Sequence, residues 1–218
     1  MLKLLRLLTL TSLLSPLGSL AAGFEEGRHY TEFLFPQPVE SGNQIEVREF
    51  FWYGCGHCYR LEPTLEQWLA RKPKNVAFVR TPGTAPHWLV HAQLYYAIES
   101  LGLVPKLHGP IFEAIHKGGQ RLDNENGVLK FVAAQGVDTG KFNAAFNSFS
   151  TKLNVEKAKR LNEAYTIHSV PMLVVDGKYL TSPAMAGGEA AVIKVVEFLV
   201  QKATAERSSR AKRGASPK

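Results

Sequence analysis

"IEVREFFWYGCGHCYRLEPTLEQWLARK", residues 45–72, changes its hydrophobic period at Gly54. Residues 45–53 are dense in β-branched and aromatic side chains and read as a buried strand. Beyond the glycine, Leu61, Leu65, Trp68 and Leu69 recur at i, i+4, i+7 and i+8, the apolar face of a helix. Pro63 removes the backbone bond to residue 59, so a kink is expected there rather than an end. The only two cysteines of the chain, Cys55 and Cys58, sit at the junction of strand and helix.

That position decides their chemistry. Cys55 falls at a helix N-terminus, where orphan N–H groups and the positive end of the macrodipole favour a thiolate over a thiol. Its pKa should therefore lie below the free value of about 8.5. His57, in the same turn, can add positive charge. Cys58 comes one turn later and points inward. An exposed acidic thiol with a shielded second one is the pair that disulfide exchange requires.

Other uses of two cysteines fit less well. A structural zinc site wants four ligands, and one pair is present (His87 and His91 have ligand spacing but lie in a separate helical pattern). Haem attachment wants C-x-x-C-H, and residue 59 is Tyr. A clip across so short a loop constrains the unfolded chain little. No cofactor or metal is expected.

Outward from the dithiol, residues 75–81 read as a second strand. From residue 84 to about 158, four stretches carry helical spacing, among them Trp88/His91/Ala92/Tyr95 and Phe142/Ala145/Phe146/Phe149, separated by Pro or Gly. A further helix is expected over 154–168. Residues 170–181, "VPMLVVDGKYLT", read as a hairpin turning at Asp176-Gly177 in a type I′ turn. A last helix carries a Val192, Val195, Val196 and Leu199 stripe. The order describes an α/β core with an all-helical block inserted in its middle.

Lys3 and Arg6 followed by the uncharged residues 7–22 form an export leader, with Ser19 and Ala21 placing the cut after Ala21. The run is too short and too broken by Pro16 and Gly18 for a membrane anchor. The net charge of +7 sits at the termini: without the leader's two cations and the five of "ERSSRAKRGASPK" (206–218), 19 Lys/Arg face 18 Asp/Glu. A basic, Ser-rich end reads as a solvated disordered tail, and nucleic-acid binding is not expected.

"CGHC" at a strand–helix junction, Pro63 and the later "SVPMLVVDGKYL" resemble the thioredoxin superfamily. The helical insertion, the leader, "EFF" before the first cysteine, "HCY", "FNSF" and "VP-x-x-x-V-x-GKY" are together similar to the DsbA family of periplasmic disulfide oxidoreductases, over residues 25–203. The resemblance implies a thioredoxin-like domain built from residues 22–84 and 159–204, a helical insertion domain at 85–158, a leader at 1–21 and a tail at 205–218. It implies a redox-active Cys55–Cys58 disulfide, with Cys55 as nucleophile and Cys58 as resolving thiol. Val170 and Pro171 match a cis-proline loop whose backbone pairs with the substrate. Glu49 matches a buried acid that relays protons; its ordinary reading is a strand Glu paired with a Lys or Arg. Gly56 and His57 line the substrate side. Trp52, Tyr53, Gly54 and Tyr59 flank the site, although strand aromatics more often serve the core.

Gly56-His57 departs from the Pro-His of the family prototype and matches the isomerases of the endoplasmic reticulum; reductive thioredoxins carry Gly-Pro. His57 favours oxidation, and Gly56 leaves isomerase or reductase activity open. The implied partners are reduced unfolded exported proteins and a membrane quinone-linked DsbB-type reoxidant. With no segment for a dimerisation domain, a monomer is expected in the periplasm. A non-catalytic exported peptide-binding module is the competing reading of another class.

Overall fold

A computed structural model describes residues 23–214. The leader expected at residues 1–21, with its cut after Ala21, lies outside the described residues.

The chain runs β1 (Thr31–Glu32), β2 (Ile45–Phe51), α1 (Gly56–Leu69) and β3 (Val76–Pro82). A short 3₁₀ turn at Pro86–Trp88 leads into α2 (Leu89–Ser100), α3 (Val104–His116), α4 (Glu125–Ala134), α5 (Thr139–Phe146) and α6 (Phe149–Ala164). β4 (Met172–Val175), β5 (Tyr179–Thr181), α7 (Pro183–Ala186) and α8 (Glu189–Gly214) complete it. The sheet has strand order β1-β5-β4-β2-β3; β2 is parallel to β3 and antiparallel to β4. This is the expected α/β core with helices α2–α6 between its two halves.

β2 is an interior strand with every residue buried, which forces its charged side chains to find partners. Arg48, 3% exposed, pairs with Glu46 at 2.8 Å and donates to Thr81 Oγ1 at 2.7 Å. Ile45 and Val47 pack with Leu61, Leu65 and Trp68 of α1 and with Val192, Val195, Val196 and Leu199 of α8. Phe51 and Tyr53 belong to a second apolar cluster, shared with α2–α6 and with Cys58 itself. The dithiol turn is thus wedged between the sheet and the helical block. α1 continues through Pro63.

The hairpin turns as expected: Asp176 and Gly177 have φ of 56° and 67°, and Lys178 N bonds Val175 O at 3.0 Å. A Cβ on Gly177 would stand 2.1 Å from Gln37 O, so glycine is required there twice over.

Two expectations are corrected. The helix expected over 154–168 is α6 with shifted bounds: it starts at Phe149, capped by Ser148 Oγ accepting from Thr151 N at 3.1 Å, ends at Ala164, and runs across the expected boundary at residue 158. The tail expected to be disordered from residue 205 is helical to Gly214. Glu206 accepts from Lys178 Nζ at 2.8 Å and Tyr179 OH at 2.6 Å, and Arg207 pairs with Asp176. These contacts tie the helix to the hairpin, so Glu206 and Arg207 have partners that a local reading of the tail cannot see.

Candidate active site

Cys55 is the N-cap of α1, in extended backbone with φ −87° and ψ 114°. Its carbonyl accepts the first helical bond, from Tyr59 N at 3.0 Å. The N–H groups of the next residues lack helical acceptors and are free to face the Cys55 sulfur. The Cys58 thiol donating to that sulfur is the largest influence on it. Burial opposes, the backbone N–H groups of Cys58 and His57 add to the effect, and Cys55 is lowered to about 6. Cys58 is fully buried, and burial together with the adjacent Cys55 pushes it well above the usual thiol range. Both cysteines are free thiols. One sulfur is thus made acidic and half-accessible, while the other is kept protonated and shielded.

Across from α1, Cys55 Sγ lies 3.3 Å from the carbonyl oxygen of Val170, and the Val170–Pro171 peptide bond is cis. Pro171 is buried and Val170 half-buried. Gly56 is half-buried and His57 exposed at the mouth of the site. His57 Nδ1 stands 2.6 Å from Arg60 Nη2.

Glu49 occupies an interior strand, fully buried. Burial, reinforced by the Glu62 carboxylate, pushes it up to about 8, even though Arg80 Nε donates to it at 3.2 Å. Its Oε1 has no hydrogen-bond partner among the described residues. The residue is therefore both buried and paired with Arg80. Arg80 also reaches Glu62 at 3.1 Å and Glu66 at 3.0 Å. Burial works against ionisation of Glu62, yet the hydrogen bond with His108 and the charge of Arg80 hold its carboxyl below the usual range. His108, kept neutral by burial, links Glu62 at 3.3 Å to Tyr53 OH at 2.8 Å. Tyr53 must then donate its hydroxyl proton to Nδ1, with Nε2–H donating to Glu62. A cavity of about 840 Å³ between α1 and α3 opens onto Glu62, Glu66, Arg80 and His108.

Sequence reasoning missed Arg60, Glu62, Arg80 and His108. A signal was available for two of them: Arg80 interrupts an apolar strand, and His108 sits beside Leu107, Ile111 and Phe112 on the apolar face of α3. The flanking aromatics divide. Tyr53 is core, whereas Trp52 is half-buried and stacks on Trp88 at 4.7 Å with 14° between the rings. Tyr59 stacks on His116 at 4.8 Å.

The family model of the DSBA-like thioredoxin domain matches residues 88–199. A thiol:disulfide interchange protein DsbA of Azotobacter vinelandii is 40% identical over 189 residues, 86% of this chain and 87% of the relative. The DsbA of Pseudomonas aeruginosa PAO1 is 41% identical over 183 residues, 84% of this chain and 87% of the relative. The crystal structure of P. aeruginosa DsbA superposes with a TM-score of 0.83 at 40% identity, covering 86% of this chain and 98% of the other. The oxidoreductase NmDsbA1 of Neisseria meningitidis does so with a TM-score of 0.77 at 26% identity, covering 86% and 97%.

Proposed function

This chain belongs to the DsbA-like thioredoxin family, and from that premise we propose that it introduces disulfide bonds into exported proteins by exchange through Cys55. The observation that carries the reading is the opposite tuning of two thiols one turn apart, Cys55 lowered to about 6 and Cys58 raised. In the oxidised enzyme a client thiolate attacks Cys55 Sγ. The Cys55–Cys58 bond breaks, Cys58 leaves with the electron pair and takes up a proton, and a mixed disulfide joins the client to Cys55. A second client thiolate attacks the client sulfur of that bond. Cys55 then leaves as a thiolate, readily because its pKa is low. The client loses two electrons and the enzyme gains them as a dithiol.

The remaining roles follow from position. The Val170 carbonyl, 3.3 Å from the reacting sulfur, is placed to pair with an extended client segment, and Pro171 shapes that loop. Half-buried Gly56 and exposed His57 form the rim that a client meets. Glu49, neutral below about pH 8 and near enough to act on Cys58 electrostatically, exchanges the Cys58 proton. The enzyme works in the periplasm as a monomer after loss of its leader, with helices α2–α6 as the inserted helical domain, and a DsbB-type quinone-linked membrane protein reoxidises it.

Cys58→Ala tests the reading. The variant should accumulate mixed disulfides with exported proteins through Cys55. A peptide-binding module would accumulate none. Refolding assays separate the related activities: an oxidase speeds refolding of a reduced multi-disulfide protein, and an isomerase speeds refolding of a scrambled one.

A further inference from the structure

The dithiol turn carries a cation that the exchange chemistry above does not use. Arg60 Nη2 lies 2.6 Å from His57 Nδ1, and its Nε lies 3.4 Å from Glu189 Oε1 at the first position of α8. Arg60 Nη1 is also the nearest group to a Cβ built on Gly56, at 3.7 Å, so the guanidinium lies over the residue between Cys55 and His57. A guanidinium has five donors and no acceptor, and it does not deprotonate. His57 Nδ1 must therefore accept, and its single proton resides on Nε2. A protonated His57 would also lower Cys55, but this contact places the positive charge on the arginine instead.

We infer that Arg60 is a positioning residue for His57: held by Glu189, it fixes the imidazole beside the dithiol as its neutral Nε2–H tautomer. Glu189 ties Arg60 to α8, so a helix from the far end of the chain bears on the His57 contact. The inference rests on the oxidoreductase reading for its consequence and on the geometry alone for the tautomer.

Two measurements test it, one independent of activity. Histidine ¹⁵N shifts in the reduced protein at pH 7 should show His57 with an acceptor Nδ1 and a protonated Nε2. Arg60→Ala should give a mixture of tautomers, and Arg60→Lys should restore the pattern in part. A wild-type His57 with protonated Nδ1 overturns the inference. The second is a double-mutant cycle in the glutathione equilibrium, where protein disulfide and two glutathione molecules give protein dithiol and glutathione disulfide. Arg60→Ala and His57→Ala should each shift the constant toward oxidised protein about two- to fivefold, the range for exposed charge contacts. In the His57→Ala background, Arg60→Ala should shift it less than it does alone. Independent, multiplicative effects overturn the inference while leaving the oxidase reading intact. Failure of the wild-type protein to oxidise reduced clients sinks the oxidase reading and leaves the ¹⁵N result standing. Both side chains are exposed, so the variants keep the fold.

Discussion

The sulfur of Cys55 lies 3.3 Å from the carbonyl oxygen of Val170, a residue 115 positions further along the chain. A helix N-terminus on one side and a loop carbonyl on the other flank this sulfur. The Cys55 thiolate is stabilised by one element and, in the proposed function, the client is aligned by another, so activation and alignment can be perturbed separately.

Activation is read from thiolate absorbance. In the reduced protein one thiol should titrate near pH 6 and the other should stay protonated well past the usual thiol range. Because the Cys58 thiol is the largest influence lowering Cys55, Cys58→Ala should move the Cys55 midpoint upward. An unchanged midpoint would shift the credit to the backbone N–H groups of α1.

The same shift makes the stability of the reduced protein pH-dependent. Cys55 ionises near 6 when folded and near 9 when unfolded, so the unfolded chain binds more protons between those values. Its contribution is present in full above pH 9, and falls away as pH drops through 6. Reduced wild type should therefore gain on reduced Cys55→Ser as pH rises across that window. Urea melts at pH 5, 7 and 9 check it, and parallel curves would refute it.

Glu49 acts in the opposite sense. It stays protonated to about pH 8 in the fold and ionises from about 4.5 when unfolded, so it withdraws stability as pH rises between the two. The slope is about 1.4 kcal/mol per pH unit for one proton. Glu49→Gln should flatten the fall between pH 5 and 8, and slow proton exchange at Cys58, read as slower resolution of a mixed disulfide. A variant with wild-type pH dependence would place the buried proton elsewhere.

His108→Leu removes the link between Tyr53 OH and Glu62 while filling the space with apolar atoms. Two buried polar groups lose a partner, at about 1–3 kcal/mol each. Denaturant melts should show a large loss in the single variant. Restoring Tyr53→Phe alongside it should return part of that loss, because the orphaned hydroxyl is gone.

Ending the chain after Ala205 deletes Glu206 and Arg207 with their bonds to Lys178, Tyr179 and Asp176. Thermal melts should fall by an amount worth about 1–2 kcal/mol, since these partly buried pairs exceed the usual surface ion pair. Ending it after Ser209 should leave stability unchanged. Equal behaviour of the two truncations would mean that the helix end contributes nothing to the body.

Which of these relationships were legible beforehand follows from their range along the chain. The strand of residues 45–51, the helix after it and the acidic Cys55 at their junction rest on hydrophobic period and on backbone groups within one turn. A local sequence carries such information. So does the Asp176-Gly177 turn, where two successive positive φ angles admit few residue types. The Val170–Pro171 loop was placed beside Cys55 only by family resemblance, because nothing local to either segment encodes their meeting.

The rest required the tertiary structure. Arg80, 31 positions from Glu49 and 18 from Glu62, couples a strand carboxylate and a helix carboxylate whose burial no local pattern decided. His108 and Tyr53 meet across 55 positions. The charged tail, read by itself, lacks partners; packed on the hairpin, it is a helix. By itself the sequence determined the fold class, the reactive thiol and its turn, since those follow from periodicity and from the dipoles of adjacent peptides. Packing decided which charges are buried, and with whom, because a side chain's pKa and tautomer depend on the atoms around it rather than on its neighbours in sequence.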